Sequence, residues 1–108
     1  MSLQKKFIKS KKVCKVTFAL PEDAAQGAKE VKLLGDFNSW KKPTGVPMKL
    51  TDGHFKTSIE LPIGQEYQFR YLFDNKQWGN DHAADKYVPT PYGVDNSVVV
   101  AMEKKATK

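Results

Sequence analysis

The chain is poor in several things, and each absence narrows what it can be. It has one cysteine, Cys14, so an internal disulfide is excluded; the residue sits in an alternating apolar run and is expected to be buried as a small hydrophobe. No segment approaches the roughly 20 apolar residues that a membrane-crossing helix needs, so no membrane partner is expected. The start, Met1-Ser2-Leu3-Gln4-Lys5-Lys6-Phe7-Ile8, lacks the apolar stretch of a secretory signal, which makes the cytoplasm the expected location. Amphipathic helix is also scarce. Residues 22–29 form the one candidate, and their shortness and Gly27 predict a loop or a single turn. Neither a repeat nor a low-complexity tract appears, which excludes solenoids and propellers.

What is present fits one globular domain. The 108 residues suffice for a core without disulfides or metal, and 40% hydrophobic with 28% charged residues is far from a disordered composition. The formal charge of +6 is concentrated at the ends: without Lys5, Lys6, Lys9, Lys11, Lys12, Lys15, Lys104, Lys105 and Lys108 the balance is −3. The chain therefore divides into a basic N-terminal tail (1–11), a folded domain (12–102) and a basic C-terminal tail (103–108). Tails of this kind keep a protein soluble and attract polyanions weakly, which argues against nucleic acid as the main partner.

The interior reads as short strands. Cys14, Val16, Phe18 and Leu20 alternate with Val13, Lys15, Thr17 and Ala19 up to Pro21, the pattern of a half-buried strand. Val31 and Leu33 begin a second strand, and Met48-Lys49-Leu50 a short third. Asp52-Gly53 signals a hairpin into a strand with Phe55, Thr57, Ile59 and Leu61 on one face. Tyr67, Phe69, Tyr71 and Phe73 line the inner face of the next, which turns Gln68, Arg70, Leu72 and Asp74 outward. An irregular stretch over 80–96 precedes the closing strand that starts at Ser97. Six to seven short antiparallel strands at these spacings predict an all-β, immunoglobulin-like sandwich.

Two tryptophans stand apart from this core pattern. Trp40 closes the segment Gly35-Asp36-Phe37-Asn38-Ser39-Trp40, and Trp78 follows the turn Asp74-Asn75-Lys76-Gln77. Both lie in polar loops, where an indole either seals the end of a small β-domain or offers a rigid apolar plate to a ligand. Phe37 is expected to pack under the sheet, with Asn38 and Asp36 fixing the loop through backbone hydrogen bonds. Read as residues alone, Arg70 is a solvated cation on a strand face, and Asn96 is either a turn residue or a polar contact.

Catalysis finds no support. Asp81-His82-Ala83-Ala84-Asp85, with His54, gathers potential metal ligands, but two carboxylates around one histidine in an irregular loop lack convergent spacing, and no metal or cofactor is expected. A glycosidase needs two carboxylates opposed across a cleft, which so small a domain can hardly enclose. No nucleophile motif occurs.

The order Val31-Lys32-Leu33-Leu34-Gly35-Asp36-Phe37-Asn38-Ser39-Trp40, a hairpin, Tyr67-Gln68-Phe69-Arg70-Tyr71-Leu72-Phe73-Asp74, then Trp78 and Asn96, resembles family-48 carbohydrate-binding modules. These include the glycogen-binding domain of the AMP-activated kinase β-subunit and the early-set domains that precede isoamylase and branching-enzyme barrels. The resemblance runs from about residue 13 to 100, and is nearest to small bacterial proteins that consist of one such domain. It implies non-catalytic binding of α-1,4-linked glucan: glycogen, starch or maltooligosaccharides. By the same resemblance Trp40 and Trp78 are stacking platforms, Arg70 is the basic residue of the site and Asn96 an amide contact. Tyr92 falls near a position that is aliphatic in the kinase domain, so it either extends the platform or covers the loop. A hydrolase or branching-enzyme label would be inherited from multidomain relatives.

The chemistry suits those residue types. A glucose ring has apolar C–H patches and a rim of hydroxyls, so it is matched by flat aromatics together with fixed donors and acceptors. Because an α-1,4 chain curves, two indoles set at an angle can meet successive sugar faces. Two rival readings stand beside this one. The first is a protein-interaction module docking onto a separate glucan-metabolising enzyme. The second is a β-domain binding nucleic acid or another polyanion, with an affinity that falls steeply with salt.

Overall fold

The computed structural model describes residues 3–102; the remaining six C-terminal residues, expected as a basic tail, lie outside the described residues. Nine strands are found among them: β1 (Leu3–Ile8), β2 (Val13–Pro21), β3 (Val31–Gly35), β4 (Val46–Thr51), β5 (His54–Pro62), β6 (Gln65–Phe73), β7 (Gln77–Gly79), β8 (Lys86–Pro89) and β9 (Asp95–Ala101). Every pairing is antiparallel. The fold is the expected immunoglobulin-like β-sandwich, with nine strands where the sequence pattern predicted six or seven.

One layer has the order β1-β2-β5-β4 and the other β4-β3-β6-β9-β8. Strand β4 belongs to both. Residues Val46 and Met48 pair with Leu33 and Val31 of β3, while Lys49 to Thr51 pair with Lys56 to His54 of β5. The core lies between the layers, where Cys14, Val16, Phe18 and Leu20 from β2 meet Leu33, Phe69, Tyr71 and Val99, all buried. Phe18 meets Phe69 edge-on with centroids 5.0 Å apart, and Phe69 meets Tyr71 at 5.7 Å. Burying each such ring is worth about 2–3 kcal/mol, so these period-two apolar positions dominate the fold's stabilisation. Phe37 packs against this cluster from the edge, as expected.

Two expectations need correction. Residues 1–11 were expected as a tail, yet Leu3 to Ile8 pair with Phe18 to Val13 and form β1. Leu3 and Phe7 face the core side, and the inward residue between them is Lys5, whose charge disguised the alternation. Its ammonium reaches Asp85 at 2.6 Å, and Asp85 also accepts the Val100 N–H at 2.7 Å, so one carboxylate ties the edge of the first layer to the second. An inward charge on an edge strand also discourages pairing with another chain. The stretch 80–96, expected to be irregular, contains β8, four residues ending in proline and held against β9. Leu72 does face outward, but it is fully buried, as are Leu34 and Val98 on the same outer face. In register Leu34 stands across from Arg70 and Val98 across from Gln68.

The turn predicted near residues 22–29 is a single 3-10 turn, Glu22–Ala25, closed by Gln26 and Gly27 in left-handed conformations.

Candidate functional site

The segment after β3 is built to present Trp40. Residues Asp36–Asn38 make a 3-10 turn, and Ser39 and Trp40 follow with φ of 57° and 60°, a left-handed pair that folds the indole back over the sheet. For residues with a Cβ this conformation is costly, so it must be held from outside. Asn38 holds the loop: its side-chain oxygen accepts from Gly35 N–H, and its amide donates to the carbonyls of Leu33 and Thr44. Asp36 holds the ring, accepting Trp40 Nε1–H on Oδ1 at 3.0 Å and Gln68 N–H on Oδ2 at 2.8 Å. At Gly35 a Cβ would stand 2.4 Å from the Gln68 carbonyl oxygen, so no larger residue fits where β3 passes β6.

The pairing of β6 supplies the other half. Along one edge of β6, residues 65–69 pair with β9 and residues 71–73 with β7, which leaves Arg70 at the junction of the two. Trp78 on β7 and Asn96 on β9 are thereby brought to either side of Arg70. Trp78 remains 39% exposed, and its ring centroid lies 6.2 Å from that of Trp40 with the planes inclined at 56°.

The polar groups between the indoles are ordered by one another. Arg70 Nε–H donates to Asn96 Oδ1 at 2.6 Å, and Asn96 Nδ2–H donates to Gln68 Oε1 at 2.8 Å. Only Nε of the guanidinium is engaged, so the terminal nitrogens keep their donors, and Arg70 has no ion-pair partner among the described residues. The loop from Thr90 to Val94 closes the far side. Thr90 pins it by donating Oγ1–H to the Val94 carbonyl at 2.6 Å, and Tyr92 projects from its tip 87% exposed.

Trp40, Arg70, Trp78, Thr90, Tyr92 and Asn96 together line an open cleft of about 400 Å³. All five residues singled out in the sequence thus lie in one cleft. Asn96 is a strand residue of β9 rather than part of a turn. Sequence reasoning did not single out Thr90 as part of the cleft or Gln68 as the amide that orients Asn96. The available signals were Thr90-Pro91-Tyr92-Gly93, a turn sequence, and the two-residue spacing that puts Gln68 on the face of Arg70.

The acidic segment around His82 is dispersed by the fold. Asp81 is buried and accepts the Tyr71 hydroxyl and the Ala83 N–H, Asp85 turns to Lys5, and His82 is exposed. Among the described residues no three metal-ligating side chains converge.

A β-sandwich whose outer face carries inclined indoles around fixed guanidinium and amide groups has the form of a carbohydrate-binding module. A family model described as the glycogen recognition site of AMP-activated protein kinase matches residues 23–106, and this chain belongs to that family. It is similar to 5'-AMP-activated protein kinase subunit beta-1 of Sus scrofa, 34% identical over 73 residues, covering 68% of this chain and 55% of the relative. The beta-1 subunit of Rattus norvegicus is 33% identical over 73 residues, covering 68% of this chain and 25% of the relative. For the beta-2 subunit of Mus musculus the figures are 31% over 75 residues, 69% and 26%. The chain therefore spans about half the length of the first relative and about a quarter of the other two.

Proposed function

We propose that the chain binds α-1,4-linked glucan, such as glycogen or maltooligosaccharides, through this cleft and does not act on it chemically. The observation that carries the reading is the pair of indoles 6.2 Å apart and inclined at 56°, flanking the hydrogen-bonded Arg70 and Asn96. Flat plates at an angle suit the C–H faces of successive sugars in a curved chain, while the guanidinium and amide meet hydroxyls. Membership of a glycogen-recognition family supports the same ligand class. Among the described residues the cleft lining contains no carboxylate, so these residues do not supply the two opposed acids that glycoside hydrolysis requires.

The test is co-sedimentation with glycogen and calorimetry with maltoheptaose at low and high salt, followed by chromatography of the sugar. Binding that is insensitive to salt, with the sugar recovered intact, is the expected result. Shorter sugars appearing in proportion to protein would contradict the non-catalytic reading, and binding that vanishes with salt would contradict the glucan reading.

A second reading, association with another protein, is favoured by one finding: the relatives are named as subunits of a kinase.

A further inference from the structure

The outer face of the first layer lies on the opposite side of the sandwich from the cleft, and its composition is unusual. Strand register puts Lys6 of β1 directly across from Lys15 of β2, and Lys56 of β5 directly across from Lys49 of β4. Lys15 and Lys56 share this face with Thr17 and Ser58, whose hydroxyls hydrogen-bond at 2.8 Å between the two lysine pairs. All four lysines are exposed, and none makes an ion pair among the described residues. Among the described residues one carboxylate is in register on the face: Glu60, directly across from Lys15 and paired with Lys11 at 3.2 Å.

Like charges directly opposite one another on neighbouring strands are destabilising. Protection of sheet edges explains lysines on edge strands, but Lys15 and Lys56 lie on β2 and β5, the two inner strands of this layer. A face selected only for solubility would interleave acids with most of its bases, yet among the described residues Glu60 is the one acid here and its ion pair is with Lys11, whereas on the other layer Lys86 is paired with Glu66. The four lysines lie in two pairs set four residues apart along β2, roughly 13 Å, on a pleated surface whose middle is small and polar.

We propose that this face, centred on Thr17 and Ser58 and cornered by Lys6, Lys15, Lys49 and Lys56, docks onto an acidic surface of a folded protein partner. Charge complementarity gives attraction and register, and the hydroxyl centre lets two flat surfaces approach. A single-stranded nucleic acid is disfavoured because, among the described residues, no phenylalanine, tyrosine or tryptophan lies in register on this face for bases to stack on, and the His54 imidazole stands at one end of it. Since the cleft opens on the other layer, partner and glucan can be held together. That last consequence rests on the glucan reading; the docking face does not.

The experiment measures binding of the full chain to labelled poly-L-glutamate, and to duplex DNA of matched charge, by fluorescence anisotropy in low salt. The parent should bind polyglutamate more tightly than DNA. The variant Lys6→Gln/Lys15→Gln/Lys49→Gln/Lys56→Gln should lose about tenfold in polyglutamate affinity, whereas Lys29→Gln/Lys32→Gln/Lys42→Gln/Lys76→Gln, with the same net charge, should stay within about threefold of the parent. Equal losses in the two variants would reduce the effect to net charge and overturn the proposal. So would tighter binding to DNA, or no binding to polyglutamate. A second measurement needs no partner. Lys6→Gln and Lys49→Gln each remove one like-charge pair and should raise the melting temperature; a lowered or unchanged value would remove the argument that these pairs cost stability. Glycogen co-sedimentation of the first variant should match the parent, and this arm reports on the cleft alone.

Discussion

Asp36 divides its carboxylate between Trp40 and the neighbouring strand, taking the indole N–H on one oxygen at 3.0 Å and the backbone N–H of Gln68 on the other at 2.8 Å. The ring's direction is thereby fixed relative to β6, the strand that also carries Arg70. Asp36→Ala removes both bonds, so it should lower stability by about 1–2 kcal/mol and weaken maltoheptaose binding about fivefold. Denaturant unfolding and calorimetry separate the two effects. Lowered stability with parental affinity would mean that Trp40 keeps its place without Asp36.

Arg70→Gln keeps a polar side chain but removes the guanidinium fork and its bond to Asn96. The expected loss in glucan affinity is about 1–2 kcal/mol, in the range for a hydrogen bond to a charged group. Calorimetry against maltoheptaose checks it, and unchanged affinity would return Arg70 to the status of a solvated strand-face cation.

Gly35 is required by space rather than by backbone angle, since its φ of −177° is ordinary extended backbone. An added Cβ would meet the Gln68 carbonyl oxygen at 2.4 Å and the Phe37 ring at 2.9 Å. Gly35→Ala should therefore force β3 from β6 and cost about 2–3 kcal/mol. A urea midpoint equal to the parent's would show that the strands adjust freely there.

The Tyr71 hydroxyl donates to the buried Asp81 carboxylate. Burial first, and then the adjacent Asp81 charge, push this phenol well above its ordinary 10.0. The folded chain thus holds the proton more tightly than the unfolded one. The resulting stability is fully present below about pH 10 and is lost as pH rises from there towards the folded value. Tyr71→Phe should cost about 1–3 kcal/mol at neutral pH, because it leaves a buried acceptor short of a partner, and should decline less than the parent above about pH 10. Parallel alkaline declines in melting temperature would contradict the assignment.

What was legible in the sequence was what period-two apolar alternation writes plainly. Strands β2, β5, β6 and β9 each carry a long apolar face, and the fold class follows from them. Strand β1 was hidden because Lys5 occupies an inward position, and only its distant partner Asp85 makes that tolerable. Strand β8 was hidden by its four-residue length and terminal proline. The cleft's residue types were visible through the family resemblance, but their convergence was not. Trp40 and Trp78 lie far apart in the chain and meet because β3 and β7 flank β6 on opposite edges. Leu72 shows the limit of alternation: it points away from the core, yet it is fully buried.

The central claim, that the paired indoles are the glucan-binding surface, is tested most directly by calorimetry of Trp40→Ala and Trp78→Ala with maltoheptaose. Both side chains lie outside the core cluster, so both variants should remain folded. Each should lose at least about 2 kcal/mol of binding, some thirtyfold, as expected for a central anchor. A folded variant of either kind that binds maltoheptaose with the parent's affinity would contradict the account.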